Sequence, residues 1–186
     1  MKLHVKYDSM TVCKAVVTEQ LEKLSIPFTF SSHSELEIKS NLSAADQENI
    51  RQILEPYGIE IVDEPVVIFV QKIKDLILEM INSPDQFPSA KFSDYLSRQL
   101  HHSYGHISKT FSDVTYTSIE HFIILQKIEK AKQMINTGAY TLTEISWKLN
   151  YSSVQHLSNQ FKKTTGITPS AFQRIVKERQ RNKSLQ

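Results

Sequence analysis

The first 64 residues alternate between two periods of apolar residues. Apolar residues at spacing two predict four short strands, around residues 3–7, 28–30, 36–38 and 59–61. Between them, apolar residues at helical spacing predict two helices, around residues 12–24 and 43–57. The order is βαββαβ, which predicts a ferredoxin-like domain.

After residue 64 the alternating pattern stops and only helical periods follow. A long amphipathic helix is predicted to end before Pro84, and a connection with two prolines follows at 83–89. Six more helices are then predicted, around residues 89–100, 103–114, 118–137, 141–149, 152–164 and 169–181. The prediction is therefore an α+β chain with a ferredoxin-like domain (1–64), a connecting helix and linker (65–88), an all-α domain (89–181) and a tail (182–186).

A helix-turn-helix is predicted within residues 141–166. Thr141 and Glu144 have the spacing of a capping box, and Asn150 can adopt the left-handed conformation that ends a helix. The serine pair at 152–153 marks a second helix start, and Gly166 marks its end. A short helix, a tight turn and a second helix make the helix-turn-helix.

The second of these helices is predicted to present a short polar row. Helical spacing turns Val154, Leu157 and Phe161 inward and leaves outward the row Gln155, Ser158, Asn159 and Lys162. Glutamine and asparagine suit adenine, and lysine suits guanine or phosphate. The row fits the edges of bases in a major groove, and an ordinary solvated helix face is the alternative.

A second copy of this pattern lies upstream and strengthens the interpretation. Tyr104, Ile107 and Phe111 repeat the buried spacing, and Ser103 stands where Ser153 stands. The helix between the copies, 118–137, would be roughly 30 Å long, close to the roughly 34 Å between successive major-groove faces. One chain is therefore expected to reach two adjacent turns of a duplex.

Residues 89–180 resemble the DNA-binding domain of AraC-type transcription regulators, which pairs two helix-turn-helix units through a linking helix. The segments that carry the resemblance are LTEISWKLNY (142–151), LSNQFKK (157–163) and GITP (166–169). It implies sequence-specific binding of double-stranded DNA, action with the transcription machinery, and base contacts at Gly105, Ser108, Lys109, Gln155, Ser158 and Asn159. His101 and Asn150 depart from the family by replacing the usual turn glycine. Gly105 has no side chain to contact a base, so the first unit is expected to contribute position more than discrimination.

Charge divides the chain in the same way. Residues 1–64 hold 6 Lys/Arg and 11 Asp/Glu, a net formal charge of −5, whereas the remainder holds 16 and 9, a net of +7. Lys162, Lys163, Arg174 and Lys177 are predicted to contact phosphate, which supplies affinity without specificity. Beyond about residue 180 a merely solubilising tail explains the charge equally well.

Several classes of protein are disfavoured. A single cysteine excludes an internal disulfide framework and fits a reducing compartment. No signal-peptide pattern or bilayer-length apolar run occurs, so a cytoplasmic protein is expected. No glycine-rich phosphate loop, paired carboxylates or nucleophile with a base partner points to an enzyme.

The N-terminal half offers one chemical candidate. The βαββαβ order with Met10 and Cys13 before the first helix resembles the heavy-metal-associated domain, in which two cysteines three positions apart hold a soft metal. Cys13 matches the second cysteine and Met10 replaces the first, so a Cu(I) site of thiolate and thioether is one hypothesis, with the chain as a metal carrier or sensor. The alternatives are a small apolar cysteine and a module for binding a partner or for self-association.

Overall fold

The computed structural model describes residues 2–5, 7–32, 34–83 and 91–183, with only the backbone for residues 182 and 183. These residues form two compact units, Met1–Gln71 and Lys72–Gln186. The first unit contains α1 (Ser9–Lys23), β1 (Phe28–Phe30), β2 (Leu36–Ile38), α2 (Ala44–Leu54), a 3₁₀ turn (Glu55–Tyr57) and the beginning of α3 (Pro65–Asn82). The division between the units falls inside α3.

Local hydrogen bonds explain where the first helices begin. The Asp8 side chain accepts a hydrogen bond of 2.8 Å from the backbone N–H of Thr11, which satisfies a donor at the start of α1. Ser43 and Asp46 form a reciprocal capping box at the start of α2, as the predicted helix start required. Both helices are therefore specified by residues next to them in the sequence.

A small hairpin and two helices enclose the core of the first unit. β1 pairs antiparallel with β2, and Phe28 lies opposite Ile38. The fully buried residues come from α1 and α2, and the apolar sides of both strands pack against them. The buried set is Val17, Leu21, Ile50 and Leu54.

The predicted ferredoxin-like fold is wrong, because only two of the four predicted strands form among the described residues. Leu3, Val5 and Tyr7 alternate as a strand would, but they are 75%, 83% and 73% exposed and pair with no strand. Residues 59–61 run without a strand partner, and their isoleucines pack on the core while the Arg51 guanidinium donates to the Ile61 carbonyl at 3.0 Å. Alternation of apolar residues alone does not make a strand, since a strand also needs a neighbour to satisfy its backbone.

The second unit is all helical, as predicted. After the end of α3 it contains α4 (Phe92–Leu100), α5 (Tyr104–Thr115), α6 (Ile119–Thr137), α7 (Leu142–Lys148), α8 (Val154–Thr165) and α9 (Pro169–Lys183). The predicted connection at 83–89 and tail at 182–186 lie almost wholly outside the described residues. Among the helices that are described, none combines the length and the apolar character that crossing a bilayer requires.

Candidate DNA interface

α7 begins at a reciprocal capping box, as the sequence predicted. The Glu144 carboxylate accepts from the Thr141 backbone N–H at 2.7 Å, and the Thr141 hydroxyl accepts from the Glu144 N–H at 3.2 Å. The hydrogen bond from the Thr141 backbone, followed by that from its hydroxyl, lowers the pKa of the Glu144 carboxyl. The cap fixes the start of the first helix of the second helix-turn-helix unit.

The turn between α7 and α8 is closed by backbone hydrogen bonds. Asn150 adopts the left-handed conformation, with φ 53°, and its N–H donates to the Trp147 carbonyl at 2.9 Å. The hydroxyl of Ser153 then accepts from the backbone N–H of His156 at 3.0 Å and caps α8. Asparagine tolerates this conformation better than most residues, so the turn forms without glycine.

α8 has one buried side and one exposed polar side. Leu157 and Phe161 are buried. Gln155 and Asn159 are exposed, and the Gln155 side-chain amide N–H donates to the Asn159 side-chain oxygen at 2.8 Å. This hydrogen bond joins the two amides and leaves the Gln155 side-chain oxygen as an acceptor and the Asn159 amide N–H groups as donors on exposed residues. Of the other two predicted residues, Ser158 is half-buried and Lys162 is exposed.

The first helix-turn-helix unit, formed by α4 and α5, has the same construction as the second. His101 ends α4 in the left-handed conformation, with φ 55°, and the Ser103 hydroxyl caps α5 by accepting from the His106 N–H at 3.3 Å. Ile107 and Phe111 are the buried residues of α5. On its other side, the predicted contact residues Gly105 and Lys109 are exposed and Ser108 is half-buried.

The two helix-turn-helix units repeat at a constant offset of 50 residues, and the repeat includes more residues than the sequence pattern indicated. α5 and α8 each have 12 residues and begin at Tyr104 and Val154. The ring of Phe111 lies 5.6 Å from that of Phe122, and the ring of Phe161 lies 5.7 Å from that of Phe172. Sequence reasoning did not predict that these rings pair, although the constant spacing of 11 residues within each pair is visible in the chain.

Hydrogen bonds attach the linking helix α6 to its neighbours. The Tyr104 hydroxyl of α5 donates to the Glu120 carboxylate at 2.5 Å, and Gln180 of α9 donates to the Asn136 carbonyl at 3.2 Å. Burial, followed by the contact with Glu120, raises the pKa of Tyr104, and the same hydrogen bond lowers the pKa of Glu120. With 19 residues, α6 is about 28 Å long at a rise of about 1.5 Å per residue.

Exposed basic side chains lie in the last turn of α8 and on α9. Lys162 and Lys163 are exposed in the last turn of α8, where positive charge also suits the helix dipole. On α9, Arg174 and Lys177 are exposed. All four predicted phosphate-contacting residues are therefore accessible to a polyanion.

The family comparison agrees with this geometry. Residues 96–175 match a family model described as a helix-turn-helix domain. These residues therefore form a helix-turn-helix domain. The family model spans the end of α4, the four helices α5, α6, α7 and α8, and the first part of α9.

Relatives of the helix-turn-helix domain are found among curated proteins and solved structures. The chain is 25% identical over 105 residues to the uncharacterized HTH-type transcriptional regulator YdiP of Escherichia coli (strain K12), covering 56% of this chain and 34% of the relative. It thus spans about a third of the length of that curated relative. The C-terminal domain of AraT, a response regulator from Geobacillus stearothermophilus, has a TM-score of 0.51 and 19% identity, covering 60% of this chain and 86% of the other. The DNA-binding domain of AdpA, in complex with a target DNA, has a TM-score of 0.50 and 18% identity, covering 63% and 96%.

Gly105 offers a direct test of the helical geometry of α5. A Cβ added at Gly105 would meet no atom within 4 Å, so Gly105→Ala is expected to raise the free energy of unfolding by about 0.5–1 kcal/mol through helix propensity. Gly138 is a matched control because its added Cβ is also free of contacts, but its φ of 70° disfavours alanine by about 1 kcal/mol or more. Thermal and urea unfolding measure both changes. If both substitutions change the free energy of unfolding in the same direction, the helical conformation of Gly105 is contradicted.

Met10 and Cys13, the predicted metal ligands, lie in the N-terminal compact unit, Met1–Gln71. Both are on α1, and Cys13 is half-buried against the apolar core. The part of the chain that the structure describes contains no group of three or more His, Cys, Asp or Glu able to hold a metal ion. The Cu(I) hypothesis was supported by a ferredoxin-like fold that does not form, so the position of Cys13 favours apolar packing.

Proposed function

We propose that the chain binds double-stranded DNA in a sequence-specific manner and regulates transcription. In this proposal α5 and α8 are the recognition helices, and they enter successive major grooves while α6 connects the two units. The observation that carries the proposal is the construction of α8. Its apolar residues Leu157 and Phe161 are buried, its N-terminus is capped by Ser153, and its hydrogen-bonded pair Gln155–Asn159 is exposed. A major groove of DNA is wide enough to admit an α-helix. Donors and acceptors on the polar side of that helix can then distinguish one base pair from another.

The two units are assigned different tasks. In the second unit we assign base contacts to Gln155, Ser158 and Asn159, because amides that present both a donor and an acceptor match adenine. In the first unit Gly105, Ser108 and Lys109 occupy the equivalent places. Since Gly105 has no side chain there, we assign to this unit mainly the placement of the domain on the duplex.

Phosphate contacts supply the affinity in this proposal. Lys162, Lys163, Arg174 and Lys177 are exposed around the end of α8 and along α9. The description of YdiP as a transcriptional regulator and the target DNA in the AdpA complex agree with a polyanionic ligand. An exposed cation near a phosphate displaces condensed counterions and so makes the affinity depend on salt.

Binding measured across salt concentrations tests the proposal. Fluorescence anisotropy on a duplex selected from a random pool is expected to give a slope of log affinity against log salt of about −3.6, at about 0.9 per phosphate for four contacts. A random duplex of equal length serves as the control, and it should show a similar slope with lower affinity at every salt concentration. Failure of every selected duplex to bind at low salt would exclude DNA as the ligand.

We assign a modulating role to the acidic N-terminal unit, through a protein partner or through self-association. Leu3, Val5 and Tyr7 are exposed apolar side chains that either kind of interface would cover. Sedimentation velocity over a range of concentrations distinguishes the two, because self-association makes the sedimentation coefficient depend on concentration. A constant monomer value would leave the partner as the remaining form of this assignment.

A further inference from the structure

Lys127 is a half-buried cation in the middle of the linking helix. Its ammonium nitrogen lies 5.6 Å from the centre of the Phe92 ring and 5.2 Å from the centre of the Tyr151 ring. Among the described residues, no carboxylate lies within ion-pair distance of it. Burial lowers the pKa of Lys127, which records the cost of withdrawing this charge from water. The ring faces are therefore the groups that compensate for the lost hydration.

The two rings belong to different helix-turn-helix units. Phe92 is the first residue of α4, in the first unit, and Tyr151 follows Asn150 in the turn of the second unit. A small cavity of about 10 Å³ beside them is lined by Phe92, Lys127, Asn150 and residues of α3 and α7, and is large enough for about one water molecule. The Lys127 side chain of the linking helix thus contacts one aromatic ring from each helix-turn-helix unit.

We propose that Lys127 positions the two helix-turn-helix units relative to each other and so determines which spacing between two half-sites the domain prefers. The inference rests on the proposed DNA binding. A shift of either unit along α6 would remove a ring face from an ammonium that has no carboxylate to replace it. Tandem binding gains affinity only when the linked units match the spacing of their sites, so loss of this contact broadens the accepted spacings.

A purely space-filling role of the Lys127 side chain makes a different prediction. Lys127→Met keeps an unbranched apolar chain of similar length and removes the charge, so packing is retained. Because the charge is partly desolvated, its removal is expected to leave the melting temperature unchanged or to raise it. If Lys127 only fills space, the Lys127→Met variant keeps the spacing preference. If its charge positions the rings, the variant loses the preference.

The experiment measures affinity on a set of duplexes with the selected spacing, with spacings longer or shorter by one and two base pairs, and with a single half-site. We expect Lys127→Met to reduce the preference for the selected spacing by about tenfold, which corresponds to 1.4 kcal/mol, without changing affinity for the single half-site. Lys127→Arg, which retains the cation, should restore the preference.

Tyr151 supplies a matched pair of controls. Its hydroxyl is buried without a hydrogen-bond partner among the described residues, so Tyr151→Phe removes an unsatisfied group and keeps the ring. Tyr151→Phe should therefore keep the spacing preference, and Tyr151→Leu should lose it as Lys127→Met does. If Lys127→Met alters the melting temperature downward, this tyrosine pair decides the result.

The outcomes separate this inference from the function on which it rests. If the unaltered protein binds no duplex, the proposed function fails. If it binds with a spacing preference that Lys127→Met and Tyr151→Leu both retain, DNA binding stands and the positioning role of Lys127 is overturned. Binding by the unaltered protein that is indifferent to spacing would overturn the positioning role as well.

Discussion

Phe161→Ala is expected to lower the free energy of unfolding of the second helix-turn-helix unit by about 3–5 kcal/mol. The ring of Phe161 is fully buried and packs 5.7 Å from the ring of Phe172, so the smaller side chain leaves a cavity that α8 and α9 cannot close. Since the whole stability of a small protein is about 5–15 kcal/mol, α8 should lose its fixed position as well. Urea unfolding followed by circular dichroism measures the loss.

Trp147 provides the control for Phe161. It is another large aromatic residue of the same unit, but it is 68% exposed, so Trp147→Ala is expected to change the free energy of unfolding by no more than about 0.5 kcal/mol. A loss for Phe161→Ala that is as small as the loss for Trp147→Ala would mean that the buried side of α8 has been assigned incorrectly. The proposed contact residues would then have to move to the other side of the helix.

Gln155→Ala is expected to weaken binding to the selected duplex by about 1–3 kcal/mol and to relax discrimination at one base pair. The substitution removes an amide that we assign to base contact, and it also removes the hydrogen bond to the Asn159 side chain. Binding to random duplexes should change little. Anisotropy titrations on the selected site and on its single-base variants measure both effects.

Lys177→Ala is the matched control for Gln155→Ala. Lys177 is exposed on α9 and is assigned to phosphate, so its removal should weaken binding to selected and random duplexes alike and reduce the salt slope by about 1. If Gln155→Ala also weakens both kinds of duplex equally, Gln155 contacts the backbone and not a base. The two variants therefore decide between specificity and general affinity.

Helix boundaries were predictable because their causes lie within a few residues of each boundary. Thr141 with Glu144, Ser43 with Asp46 and the glycine at 166 act through side chains and backbone groups three to five positions away. The strands were not predictable in this way. Residues 3–7 and 59–61 have the alternation of strands, but a strand forms only when a distant segment pairs with it.

The helix-turn-helix pattern was predictable for a different reason. Its buried positions repeat in the sequence, from Ile107 and Phe111 to Leu157 and Phe161, and a repeat of this kind limits the folds that can bury both sets. The sequence therefore predicted the two units and the linking helix between them. Of the four polar residues of α8 that it predicted to face outward, Gln155, Asn159 and Lys162 are exposed and Ser158 is half-buried.

The sequence alone determined the helices, their caps and the repeated pattern of the two units, because all of these follow from neighbouring residues and from the helical period. Only the tertiary structure decided that the N-terminal unit has a single hairpin, that Gln155 and Asn159 align each other, and that Lys127 lies between rings 35 and 24 residues away in the chain. Such contacts depend on how helices pack, and packing brings together residues whose separation in the sequence carries no local signal.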